Sequence, residues 1–192
     1  KALAELKSAL DIAPNDAETH YAMENVLYGM GLHDEAVLEL KKSIELNPEY
    51  KEAYNNLGFI YYERGMIDEA VEKFRKVIEL DPNFVEAYSN IGLIYCEKGM
   101  FEEAIVILKK AIDINPTFPD AYNNLGYAYW NQGDKDKAMR EVSIYKQLSD
   151  GFWAPRSPRK YACIDKPVVI LWEIVLDAYY EGLIIEKGKI DF

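Results

Sequence analysis

EAYSNIGLIYCEKGMFEEAIVIL, residues 86–108, decides the fold, because the chain writes nearly the same line twice more. EAYNNLGFIYYERGMIDEAVEKF (residues 52–74) starts 34 residues before it, and DAYNNLGYAYWNQGDKDKAMREV (residues 120–142) starts 34 residues after it. Pro48, Pro82 and Pro116 keep the same interval. A fixed period of this length marks a stacked array, in which each unit buries its apolar face only against its neighbours.

One period reads as two helices. In residues 51–84, Tyr54, Leu57, Gly58 and Tyr61 fall at i, i+3, i+4 and i+7, the spacing of a single helical face. Gly65 ends that helix, where a tight turn needs positive φ. Ala70, Phe74, Val77 and Ile78 form a second apolar series, which Asp81 and Pro82 stop. Small Gly58 and Ala70 mark where the two helices approach closely, with Tyr54, Tyr61 and Phe74 filling the space around them.

This pattern resembles the tetratricopeptide repeat, whose signature sets an aromatic, Leu-Gly, Tyr, Ala, Phe and Pro at fixed positions. Residues 51–84 match at Tyr54, Leu57, Gly58, Tyr61, Ala70, Phe74 and Pro82. Residues 85–118 match at Tyr88, Ile91, Gly92, Tyr95, Ala104, Leu108 and Pro116. Residues 119–150 match at Tyr122, Leu125, Gly126, Tyr129 and Ala138, with Val142 for the Phe and no closing proline. Residues 17–50 are a weaker copy (His20, Met23, Leu27, Ala36, Leu40, Pro48), and Glu24 stands where the family prefers glycine, which predicts a looser first hairpin. Residues 1–16 fit only a second helix, with Ala2, Leu6, Ala9 and Pro14 in register. The expected fold is all-α: a right-handed superhelical array of helix-turn-helix hairpins.

The resemblance also implies a concave groove lined by one side of each first helix. That side carries Glu52, Glu86 and Asp120, then Asn55, Ser89 and Asn123, then Asn56, Asn90 and Asn124. Phe59, Leu93 and Tyr127 follow, then Tyr62, Cys96 and Trp130, then Glu63, Glu97 and Asn131. An amide is both donor and acceptor, so the Asn56–Asn90–Asn124 row is suited to the backbone of an extended peptide. It is similar to the asparagine ladder of the arrays attached to O-linked N-acetylglucosamine transferases. A second reading has the same amides bonding neighbouring helices or water. Phe59, Tyr62, Tyr127 and Trp130 read as apolar anchors or, equally, as core.

The groove lacks the Lys and Arg of the family's two-carboxylate clamp, and its charges are acidic. That favours a neutral or basic protein segment as partner, although carboxylates at helix N-termini also offset the helix dipole. The formal net charge is -11, and residues 153–192 hold six basic and six acidic residues, so the whole excess lies in the repeats. A body of that sign disfavours nucleic acid and anionic membranes. Cys96 and Cys163 stand in no metal or redox spacing, and free thiols suit a reducing, cytoplasmic setting.

Past Asp150 the repeat pattern stops. Residues 151–166 read as a connector loop. Residues 167–188 read as an apolar helix between Pro167 and Gly188, with the β-branched run 168–170 keeping a strand open. Glu173, Asp177 and Glu181 argue against insertion in a membrane, so this segment must be buried against protein.

No phosphate loop, HExxH or paired-cysteine spacing occurs, and neither His20 nor His33 has ligand-spaced partners. No catalytic residue, metal or cofactor is expected. The sequence reads as a non-catalytic scaffold that holds a partner segment in its groove. Two alternatives are a self-assembling structural protein joined through its chain ends, and the targeting domain of a larger enzyme.

Overall fold

The structure, a computed structural model, describes residues 1–149. The expected connector 151–166 and apolar helix 167–188 lie outside the described residues. Among the described residues there are nine helices and no strand: α1 Ala2–Ile12, α2 Ala17–Gly29, α3 His33–Leu46, α4 Lys51–Glu63, α5 Ile67–Leu80, α6 Val85–Glu97, α7 Phe101–Ile114, α8 Pro119–Gln132 and α9 Lys135–Ser149. The fold is the all-α repeat array that the 34-residue period predicts.

Each hairpin turns on a glycine. Gly65 takes φ +73°, its N–H bonds to Tyr62 O (2.9 Å), and Met66 N–H bonds to Tyr61 O (2.9 Å). That pair of bonds is the Schellman closure of a helix end, and it turns α4 into α5. The other link, from a second helix to the next first helix, uses a different device. Asn47, Asp81 and Asn115 each precede a proline, which drives them out of helical backbone to φ between -134° and -139°. Their Oδ1 atoms accept the N–H two residues on, from Glu49, Asn83 and Thr117 (3.1, 2.9 and 3.0 Å). Tyr88 and Tyr122 then donate their hydroxyls to the carbonyls of Pro82 and Pro116 (3.1 and 2.9 Å), tying each first helix to the turn before it.

Within a hairpin, the missing side chain of one glycine sets the distance. A Cβ on Gly92 would stand 2.5 Å from Leu108 Cγ, and one on Gly58 would stand 2.9 Å from the Phe74 ring. Ala70, Phe74, Ala104 and Leu108 are fully buried against these helices. The first hairpin is not looser, contrary to the sequence expectation. Glu24 is itself fully buried on α2, Ala36 and Leu40 facing it are fully buried too, and the Glu24 carboxylate accepts a bond from Asn56 Nδ2 (3.0 Å).

Consecutive hairpins are laced across the turns by polar bonds 30 residues apart. Arg64 reaches Asp34 (2.7 Å), Lys98 reaches Asp68 (2.8 Å) and Gln132 Nε2 reaches Glu102 (2.8 Å). The first two are ion pairs and the third is a neutral donor in the same register, so geometry rather than charge sets the position. Helices α2, α4, α6 and α8 thereby line up as one row.

Candidate interaction surface

The surface of interest is the face shared by α2, α4, α6 and α8. The asparagines of that face lie deep in it. Asn55, Asn56, Asn90, Asn123 and Asn124 are all buried, where a polar residue is tolerated only with partners. Asn56 Nδ2 donates to Glu24 of α2 and contacts the Tyr21 hydroxyl (3.4 Å). Asn124 Nδ2 donates to Ser89 Oγ of α6 (3.2 Å). One N–H of each amide is therefore spent on the preceding helix of the row. An amide has a second N–H and a carbonyl as well, and the carbonyl oxygen of Asn123 meets no donor among the described residues.

The aromatic row divides. Tyr62 is buried and donates its hydroxyl to Glu97 Oε1 (2.7 Å), one helix along. Burial first, and the bond to Glu97 next, push its phenol far above the ordinary range. Tyr28 makes the equivalent bond to Glu63. The series breaks at Cys96, whose thiol turns to the carbonyl of Asn124 (3.8 Å). Phe59, Tyr127 and Trp130 are half-buried: Phe59 packs on the cores of the first two complete hairpins, Tyr127 and Trp130 on that of the last. Lys135 Nζ lies 5.3 Å from the Trp130 ring centroid.

Glu52, Glu86 and Asp120 occupy the second position of α4, α6 and α8 and are half-buried. Burial raises the Glu86 carboxyl above its ordinary value of 4.5, and the negative charges of Asp120 and Asp81 add to the shift, against a backbone bond and Lys51 that lower it. Lys51 itself is engaged by Asp81 (2.5 Å). Sequence reasoning passed over Tyr21 and Tyr28 on α2 and read Glu24 only for its size. The signal for Tyr28 was there, since it stands 34 residues before Tyr62.

A cleft of about 750 Å³ opens elsewhere, lined by Tyr54, Lys73, Arg75, Lys76, Tyr95 and Lys98. Its cations are all engaged, by Glu72 (2.6 Å), the Tyr95 hydroxyl (3.0 Å), Glu79 (2.9 Å) and Asp68 (2.8 Å) respectively. Among the described residues, no group of three His, Cys, Asp or Glu side chains is placed to hold a metal ion, and no helix is long and apolar enough to cross a membrane.

The TPR repeat model matches residues 25–65, 60–99 and 92–133. A crystal structure of MamA superposes with a TM-score of 0.68 at 28% identity, over 78% of this chain and 87% of that one. A second crystal structure of the MamA protein gives 0.66 at 27%, over 85% and 87%. MamA from Desulfovibrio magneticus RS-1, residue 41 to the end, gives 0.68 at 24%, over 79% and 86%, a likeness of fold alone. No curated protein matches the chain. Repeats of this kind, with solved neighbours built the same way, support a protein–protein interaction scaffold.

Proposed function

The chain belongs to the TPR repeat family, and from that premise we propose that it is a non-catalytic scaffold that receives an extended or helical segment of a partner protein on the face of α2, α4, α6 and α8. One observation carries this reading. Polar amides and half-buried aromatics recur in register along that face, where an array selected for stability alone would place apolar side chains. Tyr127, Trp130 and Phe59 would supply apolar anchors, and the amide groups left over from the helix-to-helix bonds would pair with the partner's backbone. The partner is neutral or basic, because the charged residues of the face are acidic.

A photo-crosslinking amino acid placed at residue 127 tests this against one placed at Val106, which is 71% exposed on α7. Crosslinks to a single partner species from residue 127, and none from residue 106, are expected. The reverse pattern overturns the reading. In titration calorimetry with the captured segment, Trp130→Ala and Tyr127→Ala should each weaken binding by about 1–3 kcal/mol, as central aromatic contacts do.

A further inference from the structure

We propose that Glu86, Asp120 and Asn123 form a subsite for the guanidinium or ammonium group of an arginine or lysine side chain carried by the bound segment. This rests on the groove reading above and names the chemistry of one of its positions.

The two carboxylates come from neighbouring first helices, α6 and α8, which are in contact. They are close enough for the charge of Asp120 to oppose ionisation of Glu86. Both stand in the first turn of their helices, where the helix dipole alone would favour the ionised form. Glu86 nevertheless shifts the other way, through burial first and the negative charges of Asp120 and Asp81 after it, against a backbone bond and Lys51 that lower it. No salt bridge to Glu86 exists among the described residues. Lys51, the cation that acts on it, sits on Asp81 at 2.5 Å.

The independent observation is the amide of Asn123. It lies one helical turn beyond Asp120 on α8, so the two share a face. It is only 5% exposed, and its Oδ1 meets no hydrogen-bond donor among the described residues. A buried acceptor without a donor costs free energy that a ligand N–H would recover. Two carboxylates and an amide oxygen together present acceptors. A cation with several N–H bonds can donate to all three at once, and a guanidinium has five in a planar fork. A divalent metal is the poorer match, since its cages need more carboxylate or carbonyl ligands than these three supply.

Selection from a randomised twelve-residue peptide display library on the full chain provides the test. Enriched peptides should share an arginine or lysine at one position. Replacing that arginine by citrulline, which keeps the shape and removes the charge, should weaken binding at least about tenfold, the scale of a charge-assisted bond. Glu86→Gln with Asp120→Asn should abolish the difference between the arginine and citrulline peptides. Glu103→Gln, which alters net charge away from this face, should preserve it. A library that yields no binder overturns the groove reading itself. Binders that tolerate citrulline, or that keep the discrimination in the double variant, overturn the subsite and leave the groove standing.

Discussion

His20 Nε2 lies 3.2 Å from the carbonyl oxygen of Pro14, the same register in which Tyr88 bonds Pro82 and Tyr122 bonds Pro116. A proline carbonyl can only accept, so Nε2 donates. The other ring nitrogen, Nδ1, faces Glu39 Oε2 of α3 at 2.6 Å. One imidazole thus ties the turn after α1, the start of α2 and the middle of α3. His20→Phe keeps the ring and removes both bonds, and should cost about 1–3 kcal/mol by urea denaturation. His20→Tyr, which can restore the bond to Pro14, should cost less.

Gly92→Ala should destabilise the chain by about 1–3 kcal/mol, an overpacking cost. The new methyl carbon would stand 2.5 Å from two atoms of the buried Leu108. Gly99→Ala gives a contrasting defect of backbone rather than volume: its surroundings are open, but its φ is +73°. Thermal melts of the two variants beside a Gly92→Ala/Leu108→Val double variant separate the causes. The smaller side chain should return part of the loss at residue 92, while at residue 99 no neighbour can.

Helix positions, turns and close approaches were legible in the chain because each repeats three times with the same residue types. Gly58, Gly92 and Gly126 announce their partners, and Asn47, Asp81 and Asn115 announce their turns. The surface was less legible. That Asn56 and Asn124 lie on the shared face follows from a helical wheel, but their burial does not. Whether an amide is consumed depends on what the neighbouring helix offers across the gap: Glu24 in one case and Ser89 in the other. Those partners come from different positions of the repeat, so no single register predicts both. The expectation at Glu24 fails for a related reason: its size is visible in the sequence, and the Asn56 amide that meets its carboxylate across the gap is not.

Glu86 makes stability depend on pH in a definite direction. A carboxyl whose folded value is raised above its unfolded one holds its proton more tightly when folded. Its contribution is therefore favourable below the ordinary value of 4.5 and is lost as pH rises through the raised folded value. Glu86→Gln should be more stable than the parent at pH 7, with the gap closing toward pH 4 in denaturant titrations. A gap that widens on acidification would contradict the burial argument. The same substitution should bind cationic peptides less well, so stability and binding part company at this residue.

Cys96 is 2% exposed, and burial, with the charge of Glu97 adding to it, pushes its thiol up to about 12. At pH 8 it should resist iodoacetamide in the native chain and react fully in guanidinium, read by mass spectrometry of the peptide holding residue 96. Native-state labelling on the timescale of an exposed thiol would mean that α6 opens locally.

Helix α6 buries ten of its thirteen residues, and α1 buries none of its eleven. In a linear stack these two losses differ in kind. Losing α1 leaves the rest of the described stack continuous. Melting α6 cuts the stack in two, strips the inner faces of α5 and α7 together, and forfeits the row where α4 and α8 meet it. Amide exchange should therefore be fast in α1, which buries nothing, while in α6 it waits for the whole array to come apart, as the middle teeth of a zipper wait for the rest.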